Sequence, residues 1–215
     1  MIAKLYTAAL VGLDCKIVEV EVDYRKGNTH ISIVGLADKS IQEANDRIPS
    51  AIINSGAEFI PMKIIMNLAP AELNKSGPSY DFPLALGYLL ASRQIHFNTK
   101  DKLFIGELAL DGRLRPVKGI LPIADAIHKL GYKEIYLPIE NADEASLISG
   151  IKVYGVNTIK EILNHFDGIT EIPVYQRKEK DMKQKIKEYA YDFAQVKGQE
   201  HARRALEIAA AGGLF

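Results

Sequence analysis

Val18, Val20 and Val22 alternate with Glu19, Glu21 and Asp23 along residues 15–24. A period of two sends successive side chains to opposite faces, so this stretch reads as a β-strand with one face on a core and one in water. Residues 2–10 read as a strand before it. Arg25-Lys26-Gly27-Asn28 reads as a turn, and Thr29 to Gly35 as a returning strand, so a hairpin of 15–24 with 29–35 is expected.

Helical periodicity follows. Ile41, Ala44, Ile48, Ala51 and Ile52 make an apolar stripe. Ser40 and Glu43 have capping-box spacing, with Asp38 as an alternative cap. Pro49 predicts a kink and Gly56 the end. Met62 to Leu68 reads as a strand. Residues 80–92 are apolar nearly all round, the mark of a buried helix. Leu103 to Leu110 reads as one strand with a tight turn at Asp111-Gly112, and residues 119–130 as a helix striped by Ile120, Ile123, Ile127 and Leu130. Strands at 134–137 and 151–154 alternate with helices at 140–148 and 158–165. Strands first and alternation later predict an α+β fold, a mixed sheet packed with helices.

Acids and bases number 27 each, so any nucleic-acid contact must come from a local patch. The single cysteine, Cys15, excludes an internal disulfide and a Cys-based zinc site, and the five histidines lack ligand spacing, so no metal site is expected. No apolar run approaches the ~20 residues of a membrane span, and the N-terminus lacks a signal-peptide core, which predicts a cytoplasmic protein. Composition places one domain over residues 1–166, a Lys/Glu-rich linker or solvated helix over 167–190, and a further element over 191–215. In the last, an Ala-rich helix runs into Gly212-Gly213-Leu214-Phe215, as if cut where a strand begins.

Asn67-Leu68-Ala69-Pro70-Ala71-Glu72-Leu73, Lys75-Ser76-Gly77-Pro78-Ser79-Tyr80-Asp81-Phe82-Pro83 and Ile33-Val34-Gly35-Leu36-Ala37-Asp38 closely resemble the N-terminal domain of ComM/YifB (magnesium-chelatase-like) AAA+ ATPases. Val196-Lys197-Gly198-Gln199-Glu200 and the Ala-rich helix resemble the entry segment of that family's ATPase module. The resemblance implies a domain like the Lon proteolytic domain (ribosomal protein S5 domain 2-like) and a longer protein that forms a hexamer, uses ATP and Mg and acts on DNA as a branch-migration helicase in recombination and natural transformation. It also implies that Val196 and Gly198 border the adenine. The phosphate loop would follow Phe215, so no ATP hydrolysis is expected of this chain.

In the more distantly similar Lon domain, a Gly-Pro-Ser turn carries a nucleophilic serine that a lysine activates. By resemblance Ser79 occupies the serine position and Leu121 the lysine position. Leucine cannot accept a proton, so no catalytic residue is expected. Lys118, three residues earlier, reads as lying on the turn before the helix, and Ser79 as a helix N-cap beside Asp81. Lys75, Arg113, Arg115 and Lys118 are the DNA-binding candidates, against a reading as ordinary solvated charges. The alternatives are a Ser79-dependent peptidase using Lys118 and a magnesium-chelatase-type subunit.

Overall fold

The computed structural model describes residues 2–12, 14–28, 30–60, 62–177 and 197–212. Strand β2 (Asp14–Arg25) is central to the first sheet and pairs antiparallel with both β1 (Ile2–Val11) and β4 (Lys63–Ala69). Val18, Val20 and Val22 are fully buried, while Glu19 and Glu21 each meet Lys4 of β1 at 3.0 Å on the other face.

The expected hairpin of β2 with β3 (His30–Val34) does not form. The order is β1-β2-β4-β3, with β3 parallel to β4. Parallel neighbours need a crossover, and helices α1 (Lys39–Gln42) and α2 (Ala44–Asn54) supply it. Ile41, Ala44, Ile48, Ala51 and Ile52 are all fully buried, so burying this stripe outweighs a short turn-mediated pairing. Asp38 is the cap, its Oδ1 accepting from the Ile41 N–H at 2.9 Å. The helix breaks at Glu43, ahead of Pro49, which stays inside α2.

Helix α3 (Asp81–Ala91) is the buried helix expected, with ten of its eleven residues buried. Gly87 lets it lie directly on Val22 and Leu5, because a Cβ there would collide with Val22. Arg47 of α2 grips Asp81 of α3 with two bonds, Nε to Oδ2 at 2.8 Å and Nη2 to Oδ1 at 3.0 Å. Asp81 is fully buried and burial raises its pKa, with Arg47 opposing. Removing one partner of such a pair typically costs about 3–5 kcal/mol.

Beyond α3 the chain alternates. Strands β5 (Lys102–Phe104), β8 (Glu134–Pro138) and β9 (Lys152–Val156) form a parallel sheet in the order β5-β8-β9. The single strand expected over 103–110 is split, because β6 (Glu107–Leu108) leaves to pair with β7 (Leu114–Arg115) as a separate ribbon. Helix α4 (Ile120–Lys129) packs Ile120, Ile123 and Ile127 into a core shared with Ala8, Leu103, Ile135 and Val153. Short helix α5 (Ala142–Ala145) and helix α6 (Ile159–Phe166), capped by Thr158, complete this half. The fold is therefore mixed α and β, with one mixed sheet, one parallel sheet and a ribbon.

The compact unit runs over Met1–Arg177. Residues 167–177, read from composition as linker, pack onto it: Ile172 is buried, its N–H donates to His165 Nδ1 at 3.0 Å, and Tyr175 N–H donates to the Val153 carbonyl at 2.7 Å. Lys178–Phe215 is a separate unit, in which helix α7 (Glu200–Gly212) buries no residue. Residues 178–190 of the expected linker lie outside the described residues. No described helix is long and apolar enough to cross a membrane.

Burial holds the His165 pKa below its ordinary 6.5, and Nδ1 must be unprotonated to accept from Ile172. The unfolded chain takes up this proton first, so stability should fall as pH drops from about 6.5 through the folded value. Urea denaturation across pH 5–8 should show that loss, and His165→Gln should flatten it.

Candidate functional site

One side of the Ser79 turn is shaped by main-chain groups held by two buried or half-buried side chains, Lys75 and Asp38. Lys75 is fully buried, and its Nζ donates to the carbonyls of Gly35 at 2.7 Å, Leu73 at 2.8 Å and Pro70. Three acceptors match the three N–H bonds of an ammonium group, while burial pulls the pKa below the usual lysine value. Gly35 has φ 103°, and a Cβ there would strike the Leu68 carbonyl oxygen, so the acceptor loop needs glycine. The segments are also laced directly, Lys75 N–H to Leu36 O at 3.3 Å and Asp38 N–H to Lys75 O at 3.2 Å. Asp38, having capped α1 with Oδ1, accepts the Gly77 N–H on Oδ2 at 3.1 Å.

Pro78–Tyr80 then forms a single 3-10 turn leading into α3. Its far side is tied to Gly106, whose N–H donates to the Ser79 carbonyl at 2.9 Å and whose carbonyl accepts the Phe82 N–H at 3.0 Å. This explains the split strand: at Gly106 the backbone groups serve the turn instead of a neighbouring strand. Tyr80 is buried, and burial, with Asp38 and Cys15 nearby, pushes its pKa up to about 12.

The Ser79 side chain caps neither the 3-10 turn nor α3, which corrects the N-cap expectation. The turn is held through its backbone, so the hydroxyl is left to face a cleft. That cleft, about 160 Å³, is lined by Ala8, Ala9, Leu10, Asn74, Ser76, Ser79, Tyr80, Ile105, Lys118 and Ile123. A second, of about 350 Å³, shares Ser76, Ser79 and Lys118 with it and adds Glu107, Pro116 and Val117. A third, of about 210 Å³, shares Pro116 with the second and is lined by Arg113 and Arg115.

Leu121 lines none of the three. It sits in the first turn of α4, 37% exposed, with its N–H donating to Glu144 Oε1 at 2.9 Å. Lys118 instead shares both of the Ser79 clefts, placed there by Gly119, which takes φ 78° ahead of α4. Lys118 is exposed, and among the described residues neither it nor the Ser79 hydroxyl has a hydrogen-bond partner. A Ser-Lys dyad needs a desolvated amine bonded to the hydroxyl, and this arrangement lacks both.

The four basic candidates separate. Lys75 is removed from the DNA-binding set, because its charge is internal and all three donors are spent. Arg113 is exposed and pairs with Asp111 at 2.7 Å, and Arg115 pairs with Glu107 at 3.2 Å. Exposed pairs of this kind are worth only about 0–1 kcal/mol, so either arginine is cheaply redirected to another anion. Val196 lies outside the described residues, and Gly198 is exposed with φ 70°. Asp38 and Asp81 were read only as helix-end carboxylates; Arg47 as the partner of Asp81, and the bonds of Gly106 to the Ser79 turn, escaped sequence reasoning.

A family model for the ChlI subunit of Mg-chelatase matches residues 20–141, more than half of the chain. The chain belongs to this Mg-chelatase-like family of AAA+ ATPases. Its relatives there include ComM and YifB. It is 36% identical over 213 residues to competence protein ComM of Haemophilus influenzae, covering 98% of this chain and 42% of that protein. It is 38% identical over 210 residues to the uncharacterized protein YifB of Escherichia coli, covering 97% of this chain and 40% of that protein. The chain thus spans about two-fifths of the length of these relatives. A weaker similarity, 26% over 162 residues, links it to Lon protease 2 of Bacillus subtilis, covering 68% of this chain and 29% of that protein.

Lys75→Met should leave three carbonyls without their shared donor and lower stability by about 2 kcal/mol or more. Hydrogen exchange at Gly77 and Ser79 should quicken more than global unfolding explains. Unchanged exchange at those amides would remove Lys75 from this role.

Proposed function

We propose that residues 1–166 are a Lon-like, non-proteolytic assembly and DNA-guiding domain of a longer hexameric AAA+ ATPase, a ComM-like branch-migration helicase acting in recombination and natural transformation. ATP and Mg would be used by the longer protein. Residues 191–215, with Val196 and Gly198, would begin its nucleotide-binding module in the cytoplasm.

The observation that carries this reading is the position of Leu121. The helix position that would supply a proton acceptor bears an alkyl side chain that lines neither Ser79 cleft. A serine without a base gains little nucleophilic power, so the turn is kept for its shape and its surface. Similarity to ComM and to Lon protease 2 supports the same reading from two sides.

Arg113, Arg115 and Lys118 suit the DNA-guiding part. They line a series of clefts joined through Pro116 and Ser79. Three phosphate contacts are weak in one subunit, but a ring presents them at high effective concentration.

DNA binding by this chain, and by the longer protein, measured across a salt series should weaken when Arg113, Arg115 and Lys118 are changed together to alanine. The slope of log affinity against log salt should fall by about one for each phosphate no longer neutralised. Unchanged affinity and slope would sink the DNA-guiding role of this ribbon.

A further inference from the structure

The small cleft beside Ser79 carries an unusual balance of groups. Its polar lining is Asn74, Ser76, Ser79, Tyr80 and Lys118, and no carboxylate among the described residues lines it. The remainder is apolar: Ala8, Ala9, Leu10, Ile105 and Ile123. Every one of the five polar side chains can donate a hydrogen bond.

Those donors are not consumed internally. Tyr80 is only 2% exposed, and its hydroxyl has no hydrogen-bond partner among the described residues. The same holds for the side chains of Asn74, Ser76, Ser79 and Lys118. The Tyr80 hydroxyl is not among the enclosed atoms without a partner, so it opens onto the cleft, where a ligand that supplies acceptors can reach it together with the other four donors. The wall is also rigid. Lys75 and Asp38 hold one side of the turn and Gly106 the other, so little ordering remains when a ligand arrives.

We propose that this cleft is an oxyanion-binding site whose ligand is a phosphate group, held by Lys118 with the hydroxyls of Ser79, Ser76 and Tyr80 and the amide of Asn74. Lys118, exposed and not bonded to Ser79, is available as a donor to an anion, and charge-assisted bonds are the strong ones. The cleft's volume of about 160 Å³ admits a single phosphate. The adjoining cleft of about 350 Å³, lined in part by Pro78, Pro116 and Val117, leaves room for whatever the phosphate is attached to. Glu107, which lines that larger cleft, pairs with Arg115 and is absent from the small cleft.

The phosphate has two sources, a small phosphorylated molecule or a nucleic-acid strand. Only the second rests on the DNA-guiding reading. The experiment is a titration of inorganic phosphate into the 215-residue chain at constant ionic strength, read from the backbone amide signals of Ser79 and Ile105. Saturable shifts are expected, with Lys118→Gln weakening binding about tenfold, which is about 1.4 kcal/mol. Ser79→Ala should weaken it severalfold, Lys118→Arg should retain it, and Lys100→Gln, in a different cleft, should leave it unchanged.

A short single-stranded oligonucleotide then separates the sources. Competition with phosphate supports the site and assigns it to a phosphodiester. Binding of phosphate without competition supports the site and removes it from the DNA path. Absence of saturable shifts, or equal affinity in native, Lys118→Gln and Ser79→Ala chains, overturns the proposal.

Discussion

A single ammonium group inside the protein organises the surface outside it. Lys75 collects the carbonyls of Gly35, Pro70 and Leu73, which come from the loop after β3 and the loop after β4. Carbonyl groups in two irregular loops need donors, and one side chain with three N–H bonds satisfies these together. The loops are then fixed in the arrangement that presents Gly77, Pro78 and Ser79 to a cleft. Asp38 repeats the logic with the opposite charge, serving a helix end and a turn with its two oxygens.

The sheet topology depends on this lacing. Strand β4 lies between β2 and β3, so the loops that follow β3 and β4 emerge at the same end of the sheet. A hairpin of β2 with β3 would have separated them. The α1–α2 crossover returns the chain in parallel, and Arg47 on its second helix fastens α3 through Asp81. Ser79 is thus braced from the β3 side by Lys75 and Asp38, from α3 by the ion pair, and from the segment after β5 by Gly106. Its hydroxyl is left unengaged among the described residues, which is how a binding surface is made from a rigid frame.

Much of the fold was legible in the sequence where burial has a period. The stripe of α2, the all-apolar α3 and the valines of β2 occupy the positions that their spacing requires. Pairing partners were less legible, because a strand's alternation fixes its faces and not its neighbours. The split at Gly106 could not be read, since it is caused by hydrogen bonds to Ser79 and Phe82, distant in sequence. Lys75 misled for a related reason. A lysine in a polar loop reads as solvated, and only the converging carbonyls make its burial tolerable. Ser79 misled less: its place on a turn before a helix was readable, but its bond to the helix was not made. The juxtaposition of Lys118 with Ser79 follows from the left-handed Gly119, a feature of backbone conformation that composition does not reveal.

At the centre of the proposed site is Ser79, on a turn held through its backbone. It shares two clefts with exposed Lys118, no bond joins the two side chains, and the adjoining helix offers leucine. Covalent labelling of the chain by a serine-reactive phosphonate, followed by intact-mass measurement, tests this most directly. No adduct is expected beyond that seen with Ser79→Ala. A stoichiometric adduct that disappears in Ser79→Ala and in Lys118→Ala would make the pair a working dyad and contradict the non-proteolytic reading.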